Sequence, residues 1–250
     1  VMALTGATGS HYGFMDTWGV DKTCYFGIYI ESSDGFAWNY NDANGDGVTS
    51  SDTLESLNTD MFNFVGTFYG DDALLATRHK QIAAGKAVTI FDLIAYPVGK
   101  TVEDKELALD YQMEGVEGYV SRSGWEKGDM YVGLMGGENS GNKAQLDSGN
   151  FVYHNKGIVW IMDLGGENPA NNNYVKESTR YKYYRANAEG QNVVYIVNNE
   201  DLPYGQNTTG GGKIVNTFEN EHGSYAILDN TGAYSASYVS RAFRGLLVTN

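Results

Sequence analysis

The sequence predicts an α+β chain, with a helical region over residues 1–100 and an antiparallel β-sandwich region over 101–250. Three observations carry this. Apolar residues recur at three- and four-residue steps in the first hundred positions. Short apolar runs broken by Gly, Asn and Asp fill the rest. The change of period falls near 98–106, GKTVEDKEL, and helices followed by strands argue for two regions. Hydrophobic residues make up 42% of the 250, enough for a packed core, and 32 glycines against three prolines predict many turns.

In the first region, CYFGIYIES reads as a strand or a short helix. The clearest helix covers 52–69, where Leu54, Leu57, Met61, Phe64, Val65 and Phe68 share one face. Asp52 with Glu55 has the spacing of a capping box. A second helix runs from Asp71 or Asp72 to Ala84 and ends at Gly85, and a third, AVTIFDLIAY, stops at Pro97. In the second region the predicted strands lie in YQMEGVEGYVSRS, DMYVGLM, NFVYH, GIVWIMDL, NVVYIV, SYAILDN and SYVSRAFRGLLVT. There is no repeat of fixed period.

Charge and composition narrow the function. The net charge of −14 argues against a nucleic-acid partner, which needs clustered Lys and Arg. A local basic cleft for a polyanionic sugar remains compatible with it. Nineteen tyrosines suit half-buried strand positions, the expectation for most of them, and also stacking on sugars. The single cysteine, Cys24, makes an internal disulfide impossible and reads as buried filler. No apolar run reaches the ~18 residues of a membrane span, and no signal peptide is visible. Both ends read as cut from something longer.

Several residues carry candidate chemistry. Asp42, Asn44, Asp46 and Gly47 match the first half of a calcium loop. The twelfth position is Thr53 rather than an acid, so an Asx- and Gly-rich surface turn is the competing reading. A polar loop, with Glu138, Asn142, Lys143 and Gln145, sits between apolar segments, the placement expected of a binding site. The run Tyr183-Tyr184-Arg185 sets an aromatic platform beside a guanidinium, which suits a sugar carboxylate. The alternative is one buried Tyr and an Arg185 surface ion pair. His154 reads as a surface residue at a strand end. Asn207-Thr208-Thr209 is a glycosylation sequon, relevant in a eukaryotic source.

Five segments in order resemble the heparinase II/III-like polysaccharide lyases: FAWNYNDA, SRSGWEKGDMYVGLMGG, NKAQLDSGNFVYHNKGIVWIMDLG, YKYYRANAEGQNVVYI, and LPYGQ with SRAFRGLLV. The likeness covers nearly the whole chain. It implies the last helices of an (α/α) toroid followed by the first part of a β-sandwich, with the toroid's acid/base Tyr upstream of Val1. It implies a secreted or periplasmic enzyme that cleaves a uronic-acid-containing polysaccharide by β-elimination. A non-catalytic carbohydrate-binding or structural module derived from such a lyase is the alternative. An incomplete sandwich leaves open edges, which invite self-association or the missing toroid segment.

By the same resemblance, Asn142 takes the place of the family's carboxylate-side Asn, and Lys143 replaces the neighbouring catalytic His. A lysine there supplies charge to a ligand carboxylate and is a poor base unless its pKa is lowered; the competing reading is a solvated loop lysine. The family's zinc-type site corresponds to Gln145, Asp163 and Gln191. Neutral amides are weak zinc ligands. The expectation is a hydrogen-bonded cluster without metal, in which both glutamines bond Asp163.

Overall fold

The computed structural model describes residues 1–42, 61–167, 173–196 and 203–249. The chain divides into two compact units, one of residues 1–29 and 54–108, the other of residues 30–53 and 109–250. The division is thus discontinuous where a sequence reading places one boundary: segment 30–42 belongs with the strands.

The first unit contains helices α1 (Met2–Thr8), α2 (Thr23–Tyr29), α3 (Phe62–Tyr69), α4 (Asp72–Ala83) and α5 (Ile90–Ile94). CYFGIY is therefore helical. The beginning of the expected 52–69 helix, with Asp52 and Glu55, lies outside the described residues. Gly70 closes α3 in the left-handed conformation. Asp71 starts α4 by accepting from the backbone N–H groups of Ala73 and Leu74. Cys24, Phe62, Val65 and Leu74 form the apolar centre, and burial pushes the Cys24 thiol up to about 12. Gly66 admits the Leu75 side chain, whose Cγ lies 2.8 Å from where a Cβ would stand.

The third helix is shorter than its apolar pattern. Thr89 and Asp92 make a reciprocal capping box that sets its start. Asp92 also accepts from Arg78 through Nε (2.8 Å) and Nη2 (2.5 Å), and from Asn63 (3.1 Å). Both partners of the Arg78–Asp92 pair are 1% exposed.

The second unit is built on two antiparallel sheets. The first has the order β1-β2-β3-β5-β6, from β1 (Asp110–Met113), β2 (Gly118–Arg122), β3 (Tyr131–Met135), β5 (Phe151–Asn155) and β6 (Ile158–Ile161). The second has the order β4-β7-β8-β9, from β4 (Gly137–Glu138), β7 (Gly211–Asn220), β8 (Gly223–Asp229) and β9 (Phe243–Thr249). Strand alternation places Tyr119, Leu134 and Phe151 on one face of the first sheet. They pack on Ala226, Leu228, Ile214 and Leu246 of the second, giving a sandwich core. The opposite face of the first sheet is covered by segment 30–42. The Trp38 ring there occupies the space that any side chain on Gly133 would need.

Three strand assignments change. The longest strand, β7, has only Ile214, Val215 and Phe218 as large apolar residues, and a register shift between Ile214 and Asn216 breaks its alternation. The apolar NVVYIV forms no strand over its described part, 192–196. Val193 and Tyr195 pack on the cluster of Leu146, Tyr174 and Tyr181, and Ile196 packs on Ala233 and Tyr234. β9 begins only at Phe243, because Val239 and Ala242 join that second cluster.

His154 is also not a surface residue. It lies within β5, 2% exposed, its ring 5.3 Å from that of Tyr131 and edge-on to Phe36 at 5.9 Å. Burial holds its imidazole down at about 4. β5 continues to Asn155, and its alternation puts His154 on the same covered face as Val152.

Candidate functional site

After β4 the chain makes a loop with an exposed tip and a buried stem. Gly137 and Glu138 pair with Gly212 and Gly211 of β7. The approach is so close that a Cβ on Gly211 would overlap the Gly137 carbonyl. Asn139, fully buried, donates through Nδ2 to Gln206 Oε1 (3.0 Å) and to the Asn207 carbonyl (2.9 Å). Its own carbonyl accepts from the Tyr181 hydroxyl (2.8 Å). Ser140, Gly141, Asn142 and Lys143 then stand exposed, and residues 144–150 are buried.

A cleft of about 190 Å³ opens at the loop tip, lined by Asn142, Lys143 and Ser140 on one side and Val175, Arg180 and Tyr181 on the other. Arg180, 5% exposed, is its main polar support. Its guanidinium donates to the carbonyls of Ala144 (2.7 Å) and Lys143 (2.6 Å), forks onto both oxygens of Asp42, and lies 4.3 Å from the Tyr174 ring centre. Asp42 accepts in addition from the Tyr174 hydroxyl (2.5 Å). Burial pushes the Asp42 carboxyl up. The hydrogen bonds from Arg180 and Tyr174, with the guanidinium charge, outweigh that and hold it below the usual carboxylate range.

The charges at the cleft do not cancel. Asp42 neutralises Arg180. The Lys143 ammonium, 59% exposed, stands 3.8 Å from Asp42 Oδ2 as a second cation sharing the same carboxylate. The lip of the cleft is therefore positive in a strongly acidic protein. Asn142 adds an amide donor beside it.

Asn142 and Lys143 are thus brought together at one opening; Glu138, Tyr183, Tyr184 and Arg185 are not among the residues that line it. Glu138 is exposed on β4. Tyr183 packs edge-on against Tyr174 at 5.6 Å. Tyr184 is 59% exposed on a short 3-10 turn. Arg185 reaches the carbonyls of Leu164 and Gly166 and lies 4.0 Å from Glu167. Of the calcium-loop residues, Asp42 faces Arg180 and Tyr174, while Asn44 and Asp46 lie outside the described residues.

Gln145, Asp163 and Gln191 do converge, 0%, 2% and 7% exposed. The expected pairing of both glutamines with Asp163 is replaced by another. Asn150 inserts between them, donating from Nδ2 to Asp163 Oδ2 (2.5 Å) and to Gln191 Oε1 (3.0 Å). Gln191 donates to Gln145 Oε1 (2.6 Å), and the second Asp163 oxygen accepts the Gly165 N–H (2.8 Å). Burial raises the Asp163 carboxyl to about 7, against the hydrogen bonds it accepts. Asp147, 5% exposed, is pushed well up by burial and by the charge of Asp163. The donor set does not fit zinc. It offers two neutral amides and one carboxylate, and the oxygens of all three are already engaged by N–H groups.

Sequence reasoning missed Arg180, Tyr174 and Asn150. Arg180 and Tyr174 meet Asp42 across more than 130 positions, with no local motif around them. Asn150 stood at the start of the predicted strand NFVYH, a reading that gave its side chain no role.

No family model matches this chain, and no curated protein does. Solved structures do. A crystal structure of heparinase III is 16% identical with a TM-score of 0.64, covering 98% of this chain and 35% of that one. A heparinase III gene product is 14% identical with a TM-score of 0.60, covering 91% and 30%. A heparan sulfate lyase from Pedobacter heparinus is 14% identical with a TM-score of 0.55, covering 89% and 29%. The chain has a heparinase-like fold and spans about a third of the length of these structures.

Proposed function

We propose that this chain is part of a polysaccharide lyase that cleaves a uronic-acid-containing polymer by β-elimination, with the Asn142–Lys143 cleft holding the uronate carboxylate. The observation that carries the reading is the positive lip at Lys143 on a heparinase-like fold. In β-elimination a base takes the C5 proton. The electron pair left behind forms the C4–C5 double bond, and the C4–O4 bond breaks as the leaving oxygen gains a proton. Negative charge grows on the carboxylate side of C5, so donors and a cation aimed there lower the barrier. Asn142 and Lys143 suit that task. An exposed ammonium facing a carboxylate is an anchor rather than a base, so the proton-transferring groups belong to other residues.

The helical unit corresponds in this reading to the end of an (α/α) toroid, and the parent protein is secreted or periplasmic. Ile90, Leu93, Ile94 and Val98 are 62–87% exposed, which suits contact with further helical segments or a second copy.

A second reading has its own support. By the family resemblance of the sequence, Lys143 replaces a catalytic His, which favours a non-catalytic carbohydrate-binding module. The two are separated by absorbance from unsaturated uronate, with the chain incubated with heparan, hyaluronan, chondroitin, alginate and pectin-type polymers. Release of the chromophore supports the lyase. Binding without release supports the module. Neither binding nor release rejects both.

A further inference from the structure

The cluster beneath the loop is a chain of amide hydrogen bonds, and its direction is fixed from one end. Gln145 Nε2 faces the carbonyls of Asn41 (2.8 Å) and Gly165 (3.0 Å), so the nitrogen must lie there. Its oxygen then faces Gln191, whose Nε2 meets both that oxygen and the Arg185 carbonyl (2.6 Å each). The Gln191 oxygen in turn requires the nitrogen of Asn150, which also meets Asp163 Oδ2. Donation runs from Asn150 through Gln191 to Gln145 and out to the backbone. A bound cation needs oxygen lone pairs converging on an open centre. Here the oxygens of Gln145, Gln191 and Asp163 each receive an N–H, which leaves Asn150 Oδ1, a single neutral oxygen, as the one unpartnered oxygen of the four side chains.

We infer that Asn150, Gln191 and Gln145 form a metal-free lock that ties the stem of the cleft loop to segments 41, 163–165 and 185–191. The lock does the cross-linking that the family resemblance assigns to a zinc-type site, and the loop's placement is independent of metal supply. The inference does not depend on what the cleft binds.

The test is thermal unfolding of the full 250-residue chain in EDTA, in zinc and in calcium, with elemental analysis of the purified protein. The expected result is a midpoint unmoved by any of the three and no stoichiometric metal. Asn150→Asp exchanges the central donor for an acceptor and keeps the shape. It should lower the midpoint by about 5–10 °C in every buffer. Gln191→Glu makes the same exchange nearer the rim, with a smaller fall in the same direction, and decides the matter if Asn150→Asp does not fold. Saturable stabilisation of the unaltered chain by zinc or calcium overturns the inference, as does a loss of stability in EDTA. So does either acidic variant becoming more stable than the unaltered chain with cation, or as stable without it.

Discussion

Lys143 holds a left-handed backbone, φ 61°, a conformation that costs a residue with a side chain roughly 1 kcal/mol. Arg180 fixes it by gripping the Lys143 carbonyl. Lys143→Gly relieves that strain while freeing the unfolded chain, two effects of similar size and opposite sign. We expect stability within about 1 kcal/mol of the unaltered chain, checked by urea unfolding, so that any loss of ligand binding reports the missing charge. Two buried titrating groups give opposite pH slopes. Asp163 is raised to about 7, so between about pH 4 and 7 the folded chain keeps a proton that the unfolded one has released. Its contribution makes stability fall as pH rises through that window, and Asp163→Asn removes the slope. His154 is lowered to about 4, so between about pH 4 and 6.5 the unfolded chain holds the extra proton. Stability then falls as pH drops, and His154→Phe should flatten that limb of a denaturation-versus-pH series. Both residues were visible in the sequence, but neither burial was. A histidine after NFVY reads as a strand end until segment 30–42 is seen to cover that face.

Among the elements, α4 and α5 depend on one buried pair. Burying two charges is favourable only when both are paired. Arg78→Ala leaves Asp92 without its fork and should cost about 3–5 kcal/mol, read as a lower unfolding midpoint. Asp92→Asn should cost a similar amount, since it leaves the buried Arg78 cation without its counter-charge and turns an amide NH2 toward donors. The Asp92 carboxyl is held low chiefly by the Arg78 hydrogen bonds, against burial. The pair's contribution is therefore complete above the ordinary carboxylate range and is lost as pH falls through the lowered value. In the sheets, Gly133→Ala meets the Trp38 ring with a Cβ 2.5 Å from Cζ3. Overpacking of this kind should cost about 1–3 kcal/mol, and near-ultraviolet dichroism from Trp38 should change with it. The start of α4 was legible because Asp71 is a local signal; the Thr89–Asp92 box was not read, because the apolar run AVTIFDLIAY masks the start it sets. β7 was not legible, because its bulge at Val215 interrupts the period by which a strand is recognised. NVVYIV misled in the opposite sense: its apolar side chains are buried by irregular packing, which composition does not distinguish from a sheet.

At the scale of the molecule, the sandwich core and the polar loop followed from pattern, because both arise from short-range alternation and Gly- and Asn-rich breaks. The discontinuous unit did not. Segment 30–42 joins the sheets through contacts such as Trp38 on Gly133 and the Arg122 bond to the Glu31 carbonyl, each spanning more than ninety positions. The cleft is divided in the same way: its loop tip was legible, and the Arg180–Asp42 support beneath it was not. A net charge of −14 opposes a polyanion everywhere except at such a positive lip. The account therefore requires binding that is local, salt-sensitive and centred on Lys143. The most direct measurement is equilibrium binding of the chain and of Lys143→Gly to the panel of acidic polymers, at about 50 and 200 mM salt. The account predicts that at least one uronate polymer binds, more weakly at higher salt, and that Lys143→Gly lowers the affinity about tenfold, the effect of one lost charge-assisted contact. Equal affinity in both proteins, or no uronate polymer bound at low salt, contradicts it.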